Sequence, residues 1–440
     1  MKPSRVLAGR DGSPVSRVGR VHSETTTSTP LNRDFRPWQM LALGVLAQAA
    51  GTLLISTPAF LIPLLTTNFG LSYFDAGLLS SAPTLGMVLT LVLWGALADR
   101  VGERWVIAAG TALAALAAAG AVLVATPLNP VLIGLFFLFG GMASASANAA
   151  SGRLVVGWFP RHQRGLAMGI RQMSQPLGVA VAAVTIPGIA SSVGIGGAMM
   201  VSVVVCGVLA VLCALLLRDP ARTARSSAIA ASDNPYRAGS AIWRIHGVSM
   251  LLVVPQFTLS IFGLTWLLTE QSLTATSAGL VIGASQFVGA LGRIGVGVLS
   301  DRVGSRLRPL RWVAIAAVAS MTVLAILDLV QWPFAIAVLV IATTVSVADN
   351  GLAFTVIAEM AGPFYSGRAL GLQNTGQFIA AAAVGPAAGA LIAVAGFPVT
   401  FLAAAICALV AVPLVPFRDL EHPAPAMAPS PSDSIVGRSK

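Results

Sequence analysis

Gly95-Ala96-Leu97-Ala98-Asp99-Arg100-Val101-Gly102-Glu103-Arg104 returns 202 residues later as Gly297-Val298-Leu299-Ser300-Asp301-Arg302-Val303-Gly304-Ser305-Arg306. A second block, Gly165-Leu166-Ala167-Met168-Gly169-Ile170-Arg171-Gln172-Met173-Ser174-Gln175, matches Gly367-Arg368-Ala369-Leu370-Gly371-Leu372-Gln373-Asn374-Thr375-Gly376-Gln377 at the same offset. Two independent matches in one register mean that the chain holds two copies of one unit. The flanks of each copy say what that unit is: they are apolar for about 20 residues, enough helix to cross a hydrocarbon core of ~30 Å at ~1.5 Å per residue.

Followed along the chain, such runs number twelve: 39–65, 73–98, 105–125, 130–158, 165–190, 193–217, 246–269, 277–299, 312–330, 333–358, 368–395 and 398–417. Composition agrees, with 56% apolar and only 10% charged residues among 440, against roughly a quarter charged in a soluble domain. A water-soluble multidomain protein and a disordered chain are both excluded. Membrane barrels are excluded as well, because the runs lack period-2 alternation and are about twice as long as barrel strands need. The chain therefore reads as an all-α integral membrane protein of twelve transmembrane helices in two pseudo-symmetric six-helix halves. An even number of spans returns each copy to the same side, which makes the repeats parallel. The expected layout is a disordered tail at 1–37, halves at 38–217 and 246–417, a linker at 218–245 and a disordered tail at 418–440.

Orientation follows from the 27 Lys and Arg residues. All lie in the tails or in loops on one side, save Arg153, Arg171 and Arg293, which fall within spans. Positive loops stay in the cytoplasm, so both termini are expected there, in a multi-pass protein of the plasma membrane. Trp38, Trp105, Trp158, Trp243 and Trp312 fit as anchors at the inner ends, and Trp266 and Trp332 near the outer ends. The net charge of +11 is thus spread over short loops facing anionic headgroups, and no basic domain is left to bind nucleic acid.

Twelve spans in two halves, with a G-x-L-x-D-R-x-G-x-R loop after spans two and eight, resemble the major facilitator superfamily over residues 38–417. The glycines Gly95 and Gly297 are expected to permit close helix contact, and Asp99 and Asp301 to cap or face a neighbouring helix N-terminus. The resemblance implies that this loop is a conformational latch: Gly95, Asp99, Arg100, Gly102 and Arg104, with Gly297, Asp301, Arg302, Gly304 and Arg306, hold one of two access states. Plain topogenic charge is the other reading of these residues.

Ionisable groups inside a span cost at least ~2.5 to 3.5 kcal/mol, so each needs a reason. Arg293 stands eight residues before Asp301, about 12 Å deeper than the inner loop, and shares a helical face with Gln286. It reads either as a substrate or counter-ion site or as half of a structural pair. Arg153 and Arg171 stand about 10 Å from their inner boundary and either snorkel or line a cavity. Asp349, ten residues before Glu359, sits about 15 Å deep. A carboxyl group there carries protons if it is exposed to two compartments in turn, or else locks spans eight and ten as an ion pair. Asn148 maps onto Asn350 and Gln175 onto Gln377 at the same offset, while Gln48-Thr52-Ser56 and Gln256-Ser260 each step along one face. The resemblance implies that these spans line a central site between the halves; interhelical hydrogen bonding is the alternative.

Such a cavity suits a small polar or anionic solute better than a lipophilic cation. The segment from Arg153 to Pro160, with 165–175, is similar to bacterial branches carrying nitrate, cyanate or small carboxylates. Nitrate porters carry arginines in spans two and eight; Arg293 fits the second, but the first falls on Leu91. Proton-coupled uptake is expected, because the G-x-x-x-G-P-x-x-G-G motif of exporters is missing from span five. Export of drugs or metabolites by proton antiport is the alternative, and a non-transporting membrane sensor a remote one. Catalysis is not expected: His22, His162, His246 and His422 are unpaired with nucleophiles, and there is no phosphate loop. Cys206, Cys213 and Cys407 lack metal or disulfide spacing, so no metal or cofactor is expected beyond the proton gradient as driving force. The expected partners are the lipid bilayer, the solute and protons, with the monomer as the working unit.

Overall fold

The computed structural model describes residues 36–160, 163–220, 235–237 and 239–417, with the side chains at 99, 156, 164–166 and 362–367 outside that description. Most of both expected tails and of the expected linker, with His22, His162, His422 and the side chain of Asp99, therefore lie outside the described residues. Everything else regular is helix: α1 (Arg36–Phe69), α2 (Tyr73–Val101), α3 (Glu103–Leu123), α4 (Pro130–Trp158), α5 (Arg164–Gln172), α6 (Ser174–Val193), α7 (Ile195–Leu216), α8 (Ala241–Thr269), α9 (Ala275–Val303), α10 (Leu307–Leu329), α11 (Ala335–Ser346) and α12 (Asp349–Leu414). Among the described residues, eleven helical segments are long and apolar enough to cross a membrane.

Local chemistry sets the starts. Ser72, Asn129 and Thr274 each accept a hydrogen bond from the backbone N–H three residues on, and Pro130 opens α4 where no N–H is needed. Gly304 ends α9 in the left-handed region, φ 64°, a conformation that a Cβ disfavours. Between their ends most of the helices are apolar over most of their circumference, with short polar faces such as Gln48-Thr52-Ser56 turned inward. They bury one face in the bundle and leave the other uncovered; Leu116, Leu215 and Val394 are 66%, 69% and 88% exposed, as a lipid-facing surface requires.

The structure departs from the expected spans at several points, and α12 also runs unbroken through the expected loop between 358 and 368. The fifth span is split at Met173 into α5 and α6, and the tenth at Val347–Ala348 into α11 and α12. The expected break after residue 395 is not a gap between helices: α12 is continuous through it, although Gly396 takes φ 79°. Finally, Trp266, expected near the headgroups, is fully buried and donates from Nε1 to Asp328 Oδ1 at 2.8 Å.

At the end of the bundle where α2 and α9 begin, helices meet backbone to backbone. Gly77 faces Gly385, Tyr73 faces Gly389, and Gly279 faces the carbonyl of Ala183 with no room for a Cβ. These contacts join α2 to α12 and α6 to α9. The Tyr73 ring also meets Phe397 edge-on at 6.3 Å. Gly95 and Gly297, expected to make such contacts, do not: a Cβ on either would meet open space. They sit at the opposite end, where the same helices have diverged.

Candidate functional site

Between the diverging helices lies a cavity of about 1100 Å³. Its wall runs from Thr52 and Gln256 in the middle of the bundle to Gly95, Glu359 and Leu370 at the end carrying the repeated loops. It is closed at the far end by the glycine contacts and open at this one. Of the residues singled out in sequence as site candidates, Gln48, Asn148, Arg171, Gln175, Gln256, Gln286, Arg293, Asn350 and Gln377 line it. Arg153 and Asp349 do not.

In the first half, α1, α4 and α5 are tied by amides around one arginine. Gln48 Nε2 donates to Asn148 Oδ1 at 3.5 Å, and Ser151 Oγ donates to Gln48 Oε1 at 2.9 Å. Arg171 donates from Nε to Ser151 Oγ at 2.8 Å and from Nη2 to both oxygens of Asn148, at 2.9 and 3.1 Å. The break at Met173 follows directly after this side chain. In the second half the equivalent asparagine has a different partner: Asn350 Nδ2 donates to Gln256 Oε1 at 3.0 Å, and Gln377 Nε2 donates to Asn350 Oδ1 at 2.9 Å. Gln373, which stands 202 residues after Arg171, turns away from the cavity to bond His246 and Ser249.

The split between α11 and α12 is organised by charge. Arg293 Nε donates to the Val347 carbonyl at 3.0 Å, an oxygen that the break leaves without its helical donor. Asp349 opens α12. A cation thus stands at the C-terminus of one half-helix and an anion at the N-terminus of the next, the favourable sign at both ends. Asp349 is 1% exposed, and among the described residues neither carboxylate oxygen has a side-chain hydrogen-bond partner. Arg293 is near enough for its charge to act on Asp349, without a direct ion pair.

At the open end the two copies of the loop behave differently. Arg306 pairs with Asp301, bonds Ser300 Oγ at 3.1 Å and reaches Glu359 at 3.5 Å, joining α9 to α12. Burial opposes the charge of Arg306, but the bonds to Asp301 and the nearby Glu359 outweigh it and raise its pKa. Arg104 instead donates to the half-buried Ala214 carbonyl near the end of α7, and its backbone N–H donates to Asp219 Oδ1 at 2.7 Å. Asp219 thus caps α3. Arg153 Nη2 donates to the Gly95 carbonyl at 2.6 Å, bracing α4 against α2.

Sequence reasoning missed several polar groups. Asp328 is fully buried beside Trp266, with Oδ2 unpaired among the described residues; it lies inside the expected span 312–330, yet the sequence reading of acids within spans rests on Asp349 alone. The link from Tyr236 OH to His246 Nε2 (3.1 Å) was invisible, since it joins the linker to a helix interior. Among the described residues no group of three His, Cys, Asp or Glu side chains could hold a metal ion.

A family model described as Major Facilitator Superfamily matches residues 41–385. An uncharacterized MFS-type transporter of Mycobacterium tuberculosis (strain ATCC 25618 / H37Rv) is 44% identical over 382 residues, covering 87% of this chain and 85% of that one. A stretch of 130 residues, 30% of this chain and 24% of the other, is 32% identical to a probable chloroplastic anion transporter 2 of Oryza sativa subsp. japonica. Among solved structures, a bacterial homolog of the human lysosomal transporter Spinster, inward-facing and occupied, superposes with a TM-score of 0.73 at 17% identity, over 89% of this chain and 99% of that one. A D-xylose-proton symporter gives 0.71 at 16% identity, over 86% and 97%.

Proposed function

The chain belongs to the major facilitator superfamily, a family of multi-pass membrane transporters, and on that premise we propose that it moves a small polar or anionic solute by alternating access, as proton-coupled uptake. The cavity carries this reading: a space of about 1100 Å³ whose apolar walls, with Phe257, Phe354 and Phe378, are set with amides and with Arg171 and Arg293 from the two copies of the repeat. We count twelve spans in two six-helix halves, because residues 368–414 as one rod would reach about 70 Å, more than twice a ~30 Å core, and Gly396 offers a point of reversal. The Lys and Arg bias supports a plasma-membrane protein with both termini cytoplasmic, which makes the open end the inner one. The working unit is the monomer. The 130-residue likeness to a probable anion transporter supports an anionic cargo.

Asp349 is the proton site in this reading. It lies next to Asn350 of the cavity wall, has no side-chain hydrogen-bond partner among the described residues, and feels the Arg293 charge. The test uses purified protein in liposomes loaded with a pH-sensitive dye, screening nitrate, cyanate, short carboxylates, sugars and lipophilic cations, with Asp349→Asn in parallel. Proton entry driven by a small anion and lost in the variant is the expected result. Proton exit driven by lipophilic cations overturns uptake in favour of export, and proton entry unchanged in the variant returns Asp349 to a structural role.

A further inference from the structure

The buried acid Asp328 stands at one end of a path of rings that leads into the other half of the molecule. It accepts from Trp266 Nε1 at 2.8 Å, and the Trp266 ring meets Phe401 edge-on at 5.9 Å. Phe401 meets Phe397 at 6.1 Å, and Phe397 meets Tyr73 edge-on at 6.3 Å. The path thus starts on α10, passes through α8 and α12, and ends on the first residue of α2. At the 202-residue offset Asp328, Trp266, Phe397 and Phe401 correspond to Thr126, Leu64, Ile195 and Met199. None of those is a ring or an acid, so duplication of the fold does not explain the path.

Tyr73 matters because the contact between the halves is built on it. Its carbonyl is the atom that Gly389 faces, one turn from the contact of Gly77 with Gly385. Phe397, on which its ring rests, is buried where the backbone of α12 holds it least. Gly396 before it takes φ 79°, and Pro398 after it has no N–H to donate. Packing must therefore place Phe397, and behind it stand Phe401 and Trp266, both fully buried. An indole has one polar atom, and when buried it turns to the acceptor that this atom finds. Among the described residues that acceptor is Asp328. Glu270, at the end of α8, is near enough for its charge to act on both Asp328 and Tyr73, which sets the two ends of the path beside one loop.

We propose that Asp328 is a positioning residue for the closed end: by fixing the Trp266 indole it sets Phe401 and Phe397, and with them the surface on which Tyr73 of the other half closes. The inference rests on the alternating-access reading above and adds to it a residue that is outside the cavity wall. Without its acceptor the indole N–H is left buried and unpaired, the ring turns, and Phe397 loses its backing. The closed state weakens, while the state in which Tyr73 has left Phe397 is unaffected.

The test uses the purified full chain in oriented liposomes, carrying Ser56→Cys on the cavity wall in a Cys407→Ala background, with a membrane-impermeant thiol reagent added at the closed end. Asp328→Leu, Trp266→Phe and Phe401→Leu are each expected to speed labelling about fivefold or more. Asp328→Asn keeps an acceptor for Nε1 and should stay within about twofold of the parent. Asp328→Leu combined with Phe397→Leu should exceed neither single variant, since both cut one path. Phe137→Leu, buried in α4 away from the path, should lower the melting temperature and leave labelling unchanged. Each variant is checked for a single size-exclusion peak, and if Asp328→Leu fails that check, Trp266→Phe and Phe401→Leu carry the test. Unchanged labelling in the folded variants, fully additive effects in the double variant, or an equal rise in Phe137→Leu overturns the positioning role. Gly77→Ala separates the two levels. Faster labelling in Gly77→Ala alone sinks the role of Asp328 and spares alternating access; unchanged access in Gly77→Ala and every other variant, with no probe of the liposome screen transported, sinks both.

Discussion

Gly77→Ala tests whether the glycine contacts are the gate at the closed end. A Cβ at residue 77 would stand 2.6 Å from the carbonyl carbon of Gly385 and 3.2 Å from the nitrogen of Pro386, and these are backbone atoms that no rotamer change can move. Restoring ordinary contact requires α2 and α12 to part by about 1 Å, at an overpacking cost of ~1 to 3 kcal/mol. That cost falls only on the state in which these helices touch. The equilibrium between the two access states therefore moves by about 5- to 150-fold toward opening this end. A reporter cysteine, Ser56→Cys on the cavity wall, placed in a Cys407→Ala background, reads the change; Cys206 and Cys213 are buried and stay silent. With a membrane-impermeant thiol reagent, Gly77→Ala should speed labelling from the far side and slow it from the open side. A well-folded variant whose labelling is unchanged from both sides would refute the gate.

Trp266→Phe removes the donor to Asp328 Oδ1 and leaves both oxygens of a buried carboxylate unpaired, which should cost about 1–3 kcal/mol in thermal unfolding. Asp328→Asn keeps an acceptor and should cost less; equal losses would contradict this account. Arg306→Ala breaks contacts to acids that are 67% and 52% exposed, so stability should fall by at most about 1 kcal/mol and the loss should shrink in salt. A larger, salt-insensitive loss would show that the pair is more than a surface tie. Asn148→Asp sets a carboxylate beside Arg171 Nη2, now 3.1 Å from the amide oxygen, and should lower anion affinity about tenfold by cancelling the charge. Unchanged affinity in isothermal titration would argue against a working Arg171.

Hydropathy and the repeat made the membrane class and the family legible before any geometry. The amide faces were legible too, because Gln48 and Thr52, like Gln256 and Ser260, recur at helical spacing and do line the cavity. The split at Val347–Ala348 was not, since apolarity runs unbroken through both residues and only the Arg293 side chain marks the freed carbonyl. For the same reason Asp349 stands behind the wall and not in it: residue depth can be counted along a helix, but the rotation of a half-helix after a break cannot. Gly95 and Gly297 misled in another way. Their spacing is compatible with close packing, yet the helices pack at Gly77 and Gly385, some 18 residues or 27 Å away along α2 in the first case.

A seam made of glycine and backbone has no rotamers to freeze. Burying longer side chains costs up to about 2 kcal/mol each in lost conformational entropy, whereas glycine costs none from its side chain. In the alternating-access cycle proposed above, Gly77, Gly279, Gly385 and Gly389 would be covered and uncovered without that entropic toll. The balance between access states should then shift little with temperature on this account, leaving cargo and charge as the main terms that set it.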